Sequence, residues 1–239
     1  WEGFSDLYRD FARPGGVRED GFSIVWSAMT SREARVTGDL RAQLVARTER
    51  DEWYDALTPA LERIEVPMLV CGSFSDHSLH TRGSFEAFRR SGSAQRWLYT
   101  HRGGKWSTYY SDEAAQTRAA FFDHVLKGID DGWGERPPVR IAVHEAGSEP
   151  VEVTYADAWP PEDLAWTELH LDAAARSLTT QAPEVSSTAT FSSRGDGVAF
   201  TWTVPEDLDV IGHMALRLHV QLARIDDAHL FAGVRKMRD

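Results

Sequence analysis

Between Glu65 and Gly128 the hydrophobic pattern switches back and forth between two periods, and this constrains the fold more than any other feature of the chain. Residues 65–72 are nearly continuously apolar, short, and closed by Gly72, as in a strand buried on both faces of a parallel sheet. Leu79, Phe85 and Phe88 then recur at helical spacing over 79–91, with Gly92 as the stop. Residues 96–100 form a second short apolar run. Over 111–127 a helix is fully specified. Ser111 is a good N-cap, Asp112 and Glu113 complement the helix dipole, Ala115, Phe122 and Leu126 repeat beside Phe121 and Val125, and Lys127-Gly128 ends it. Strand, helix, strand, helix predicts an α/β layer.

The pattern changes on either side. Residues 1–30 are aromatic and Gly-rich with little periodicity, apart from a short alternation of Phe22, Ile24 and Trp26. Residues 31–62 read as helical, with Leu40, Leu44 and Val45 on one stripe and a second helix after Asp51 carrying Trp53, Tyr54 and Leu57. After Gly128, residues 129–138 are linker-like and end in Pro137-Pro138. From there the period is two: Val139, Ile141 and Val143; Val198, Phe200, Trp202 and Val204; Met214, Leu216, Leu218, Val220 and Leu222. Clean alternation predicts antiparallel strands with one buried face, separated by turn sequences such as Arg194-Gly195-Asp196-Gly197. The expected organisation is an α/β part over 1–130, with a helical segment near 30–62, followed by a β-sandwich over 138–239 that stops in what looks like mid-strand.

Composition removes several classes. Lys+Arg is 26 against Asp+Glu 37, a net charge of −11, which argues against a phosphate-tracking surface and hence against nucleic acid as partner. Cys71 is the one cysteine, so no intrachain disulfide framework is expected. No run approaches ~18 consecutive apolar residues, so no membrane span is expected. Trp1–Asp6 has neither an initiator Met nor the look of a targeting peptide, so the chain is read as starting inside a longer polypeptide or after processing, and a cytoplasmic location is the expectation. Nine tryptophans chiefly supply core packing.

Asp76 follows the first apolar run and His101 closes the second. An acid on the loop after one strand and a histidine after the next are the back half of a Ser…Asp…His order. Asp76 would orient an imidazole, and His101 would act as general base. The plain alternatives are a loop aspartate capping the helix near Leu79 and a surface histidine. No serine completes the set. Gly3-Phe4-Ser5-Asp6-Leu7 and Gly21-Phe22-Ser23-Ile24-Val25 lack the second glycine of G-x-S-x-G and follow no convincing strand. Cys71 lies inside an apolar run, the usual setting of an inert thiol. Asp76, His77 and His80 permit a metal reading, although a catalytic zinc site wants three protein ligands and an open position. No cofactor and no metal are expected.

Phe4-Ser5-Asp6-Leu7-Tyr8-Arg9, Val66–Asp76, Leu79–Ser84, Thr100-His101, Phe121–Gly128 and Pro137-Pro138-Val139-Arg140 resemble the cocaine-esterase / X-Pro dipeptidyl-peptidase (CocE/NonD) family of serine hydrolases, most strongly over 64–145. The resemblance implies the C-terminal part of an α/β-hydrolase core with a helical cap near 30–62, followed by a jelly-roll domain. It implies Asp76 as triad acid and His101 as triad base, with the nucleophilic serine and an oxyanion-hole tyrosine upstream of Trp1. One departure is local: Leu98-Tyr99-Thr100 stands where Pro-Trp often precedes the family's histidine. The implied activity is cleavage of an acyl ester or amide, with a small-molecule or short-peptide substrate. A carboxylic ester, an amide, a β-lactam precursor and an Xaa-Pro peptide all remain open, as does oligomeric state. The rival reading is a binding or accessory module whose β-sandwich recognises a carbohydrate or a protein.

Overall fold

A computed structural model describes residues 3–35, 38–224 and 226–237, with His77 and Ser78 described by backbone alone. The helices are α1 (Phe22–Glu33), α2 (Leu40–Ala46), α3 (Glu52–Leu57), α4 (His77–Arg90), α5 (Lys105–Tyr109) and α6 (Asp112–Lys127). The strands are β1 (Met68–Ser73), β2 (Arg96–His101), β3 (Val139–Val143), β4 (Glu152–Ala156), β5 (His170–Asp172) and β6 (Ser177–Thr179). Two compact units result. Trp1–Trp159 with Met214–Asp239 form one, and Pro160–His213 the other.

The first unit is built on a mixed sheet in the order β1-β2-β3-β4. β1 and β2 are parallel, from Met68↔Arg96 through Ser73↔His101. β2 and β3 are parallel at Leu98↔Val139 and Tyr99↔Arg140, and the Leu98 amide donates to the Pro138 carbonyl at 2.7 Å. β4 returns antiparallel to β3. The strand that follows Pro137-Pro138 therefore extends the α/β sheet, and the compact division comes at Trp159.

The two faces of the sheet follow from strand alternation. Trp97, Phe121 and Trp133 form a buried cluster supported by Leu69 and Val125, which seats α6. Their rings meet edge-on at 5.6–5.9 Å. On the other face α4 packs so closely that a Cβ on Gly72 would lie 3.3 Å from the Phe85 ring. Gly83 of the same helix has a sharper role: a Cβ there would fall 2.3 Å from Cα of Phe4. Only glycine lets the N-terminal segment cross α4 at that height.

Residues 3–63 wrap a second core of Leu7, Phe11, Ala12, Leu44 and Tyr54. Asp51 caps α3 by accepting from the amides of Trp53 and Tyr54 at 3.1 and 3.3 Å, and Asp39 caps α2 from Ala42 at 2.9 Å. Charged groups tie this segment together. Asp10, fully buried, receives Arg9 and the Ser5 hydroxyl. Asp6 receives Arg50 Nη1 at 2.5 Å, while Arg50 Nε donates to Asp55 at 2.6 Å. Burial pushes the Asp6 carboxyl up, but the Arg9 amide and the Arg50 guanidinium outweigh it and hold the group below the ordinary value.

Two expectations change, and one segment that the sequence left unassigned becomes defined. Phe22, Ile24 and Trp26 lie on a helix, because the Glu19 carboxylate accepts from the amides of Gly21, Phe22 and Ser23 at 2.6–2.8 Å and starts α1 there. The helical stretch expected from residue 31 is the end of α1 followed by α2 and α3, and Val36 and Thr37 lie outside the described residues. The strands expected over 198–204 and 214–222 form no ladder among the described residues. The first contributes a single bridge, Ser177↔Thr201. In the second, Met214, Leu216, Leu218, Val220 and Leu222 are all exposed. Alternation records which side chains could share a face, whereas a ladder also needs a paired backbone edge.

The second unit, Pro160–His213, centres on the antiparallel pair β5–β6. The Leu178 amide donates to the Thr201 carbonyl at 2.8 Å and the Thr201 amide to Arg176 at 3.1 Å. Arg176 takes a left-handed φ of 58° in the turn between the strands.

Candidate active site

The parallel register places Ser73 opposite His101, so both strands end at the same level. The loops beyond are stitched together. The Phe74 amide donates to the His101 carbonyl at 2.8 Å, and the Ser75 hydroxyl donates to the Arg102 carbonyl at 2.9 Å. Within the first loop the Ser75 amide donates to Ser73 Oγ at 3.1 Å, and Thr81 donates to the Ser73 carbonyl at 2.6 Å. These bonds hold the loop that carries Asp76 against the end of β2, where His101 sits.

Asp76 occupies the N-cap position of α4, yet its side chain makes no capping hydrogen bond. Its carboxylate instead meets Lys105 Nζ at 3.0 Å. His101 is the last residue of β2 and only 4% exposed, which excludes a plain surface histidine. Its pKa lies below the ordinary value. Burial is the largest cause, the Gly103 backbone and the Asp76 carboxylate pull the other way, and His144 and Arg140 add to the lowering. Burial thus favours the neutral imidazole over the imidazolium, which is the form a general base uses.

A cavity of about 300 Å³ opens beside His101 and is lined by Ser107, Thr108, Arg140, His144 and Ser148 among others. Arg140 is held in three ways: Nη1 donates to the Thr100 carbonyl at 2.9 Å, Nη2 to Glu113 at 2.6 Å, and the guanidinium lies 4.2 Å from the Tyr99 ring centroid. Burial pushes the Tyr99 hydroxyl to about 12. His144 also sits below its ordinary pKa, chiefly through burial.

The serines around this site have local duties. Ser107 donates to the Gly104 carbonyl at 2.9 Å, and Ser111 caps α6 by accepting from Ala114. Ser5 and Ser23, the candidates in Gly-x-Ser fragments, are buried; Ser5 donates to Asp10 and Ser23 to the Glu19 carbonyl. Cys71 is buried in β1. His80 meets the Gly3 carbonyl at 3.3 Å, the His77 side chain lies outside the described residues, and among the described residues no three His, Cys, Asp or Glu are grouped to hold a metal ion. No helix among them is long and apolar enough to cross a membrane. The sequence did not single out Lys105, Arg140 or His144. For Lys105 the available signal was the Gly103-Gly104 pair just ahead of it. Arg140 and His144 read as the polar positions of an alternating strand.

The site is thus a buried histidine at the end of β2 and an acid on the loop past β1, carried by adjacent parallel strands. Residues 131–239 match the X-Pro dipeptidyl-peptidase C-terminal non-catalytic domain. Two crystal structures of a CocE/NonD family hydrolase from Staphylococcus aureus superpose with a TM-score of 0.72 at 32% identity, covering 76% of this chain. The chain spans 33% of the length of those relatives. No curated protein matches it. Over the parts matched, the chain is similar to the CocE/NonD, X-Pro dipeptidyl-peptidase family of hydrolases.

Proposed function

We propose that residues 1–239 supply the acid and base of a serine acyl hydrolase, with Asp76 orienting His101 and the nucleophilic serine lying outside this sequence. In that scheme His101 takes the proton of the serine hydroxyl as it attacks an ester or amide carbonyl, then returns it to the leaving group. Asp76 stabilises the imidazolium that forms in between. The observation that carries the reading is His101 itself: a histidine 4% exposed, at the end of a parallel strand, within the field of a carboxylate on the neighbouring loop. The helical segment near 30–62 would serve as a cap over the substrate, and the alternating segments after 138 would complete a jelly roll. The substrate is a small ester or amide or a short peptide. Residues 131–239 match a domain described as non-catalytic, which fits an accessory role for that part within the same hydrolase.

The test has two arms. The 239-residue chain alone should not turn over p-nitrophenyl acetate above the background of free imidazole and should not be labelled by a serine-directed phosphonate. A longer polypeptide in which these residues follow a strand and G-x-S-x-G should turn it over, and His101→Ala or Asp76→Asn should lower kcat by ~10²–10⁴-fold. Turnover by the short chain that His101→Ala and phosphonate both abolish would overturn the assignment of the serine. Full activity of the longer His101→Ala variant would overturn that of the base.

A further inference from the structure

We infer that Lys105 is a positioning residue of the Asp76–His101 site: its ammonium, 3.0 Å from Asp76 Oδ2, offsets part of the negative charge that the carboxylate presents toward the imidazole and so keeps His101 neutral to lower pH. The inference rests on the reading of Asp76 and His101 as acid and base, and concerns how that pair is tuned.

Lys105 reaches Asp76 because of how the loop after β2 turns. A Cβ on Gly103 would lie 2.5 Å from Thr108 Oγ1, so glycine there lets the chain fold back on α5 without displacing that hydroxyl. Lys105 is the first residue of α5, a place where an acid is favoured over a base. The short helix does not explain a lysine there, whereas the carboxylate across the gap does. Both partners are partly buried, with 30% and 27% of the side chain exposed, so solvent screens the pair less than it would an open surface pair. The other charges near His101 have different attachments. Arg140 of β3 is held by Glu113 of α6 and the Thr100 carbonyl. Arg102 donates to the Glu145 carbonyl at 3.3 Å. His144, just past β3, acts on His101 as a second imidazole. Lys105 makes its ion pair with Asp76. A carboxylate partly neutralised by an ammonium projects less negative potential on the ring, so the imidazolium is favoured less.

The experiment is an NMR titration of the His101 Cε1–H resonance in the 239-residue chain, assigned by its loss in His101→Gln. Lys105→Met should raise the midpoint by about half a pH unit or more. Lys105→Arg, which keeps the charge, should leave it within about 0.2 of the parent value. Should Lys105→Met disturb the spectrum of the folded chain, Lys105→Gln carries the same expectation. A midpoint unchanged or lowered in the charge-free variant overturns the inference. Asp76→Asn separates the two readings. If it lowers the midpoint while Lys105→Met does nothing, only the role of Lys105 fails. If Asp76→Asn has no effect, the acid–base pairing itself fails.

Discussion

The backbone amide of Phe74 donates to the carbonyl of His101 at 2.8 Å, so the loop that carries Asp76 is bonded to the strand that carries the histidine. The parallel ladder β1–β2 runs without interruption up to that bond. The site is therefore an extension of the sheet, and whatever disturbs β2 should disturb the site.

Thr100 is the first such point. It is fully buried, and its hydroxyl accepts from the Ala142 amide at 2.9 Å where β3 diverges from β2. Thr100→Val keeps the shape and leaves that amide without its acceptor, so it should destabilise the fold by about 1–3 kcal/mol. Urea denaturation of both proteins would measure it, with Thr100→Ser expected to recover much of the loss.

Trp97 anchors the opposite end of the strand. It packs edge-on against Phe121 and Trp133 and is the contact through which α6 meets the sheet. Trp97→Ala should cost about 3–5 kcal/mol by removing a large buried ring and leaving a cavity. The fall should appear in the denaturation midpoint, and Trp97→Phe should lose markedly less.

Much of this was legible in the sequence, and the parts that were not have physical reasons. β1, α4, β2 and α6 were readable because each buries a face whose period the sequence carries, and Ser111 and Gly128 punctuate α6 as expected. α1 was missed because Phe22, Ile24, Val25, Trp26 and Met29 are all substantially exposed and leave no one-sided stripe, while its start is set by Glu19 from outside the helix. α5 was missed because five residues are too few to show a period. β3 was read correctly as a strand, but its partner is set by tertiary register with β2, which alternation does not encode. Asp76 and His101 were singled out as candidates from their position after apolar runs. Lys105 was not, since a salt bridge across two loops has no sequence spacing.

Stability should fall on mild acidification. His101 and His144 both have folded pKa values below the ordinary histidine value, with burial the first cause in each. The unfolded chain therefore binds protons more readily than the folded one, and stability present above about pH 6.5 declines as pH drops toward the folded values. Asp6 and Glu19 are held below the ordinary carboxylate values despite burial, by backbone amides in both and by Arg50 in Asp6, so a second loss follows as pH falls through the carboxylate range. Urea midpoints at pH 8, 6 and 5 should descend, and a His101→Gln/His144→Gln variant should show a shallower fall from 8 to 5.

The titration of the His101 ring in the parent chain and in Asp76→Asn tests the central claim most directly. Loss of the carboxylate charge should move the midpoint down by about half to one pH unit, because a neutral amide no longer stabilises the imidazolium. A midpoint that stays where it was, in a chain still folded, would mean that Asp76 does not act on His101 and that the two strand ends do not form the acid–base half of a hydrolase site.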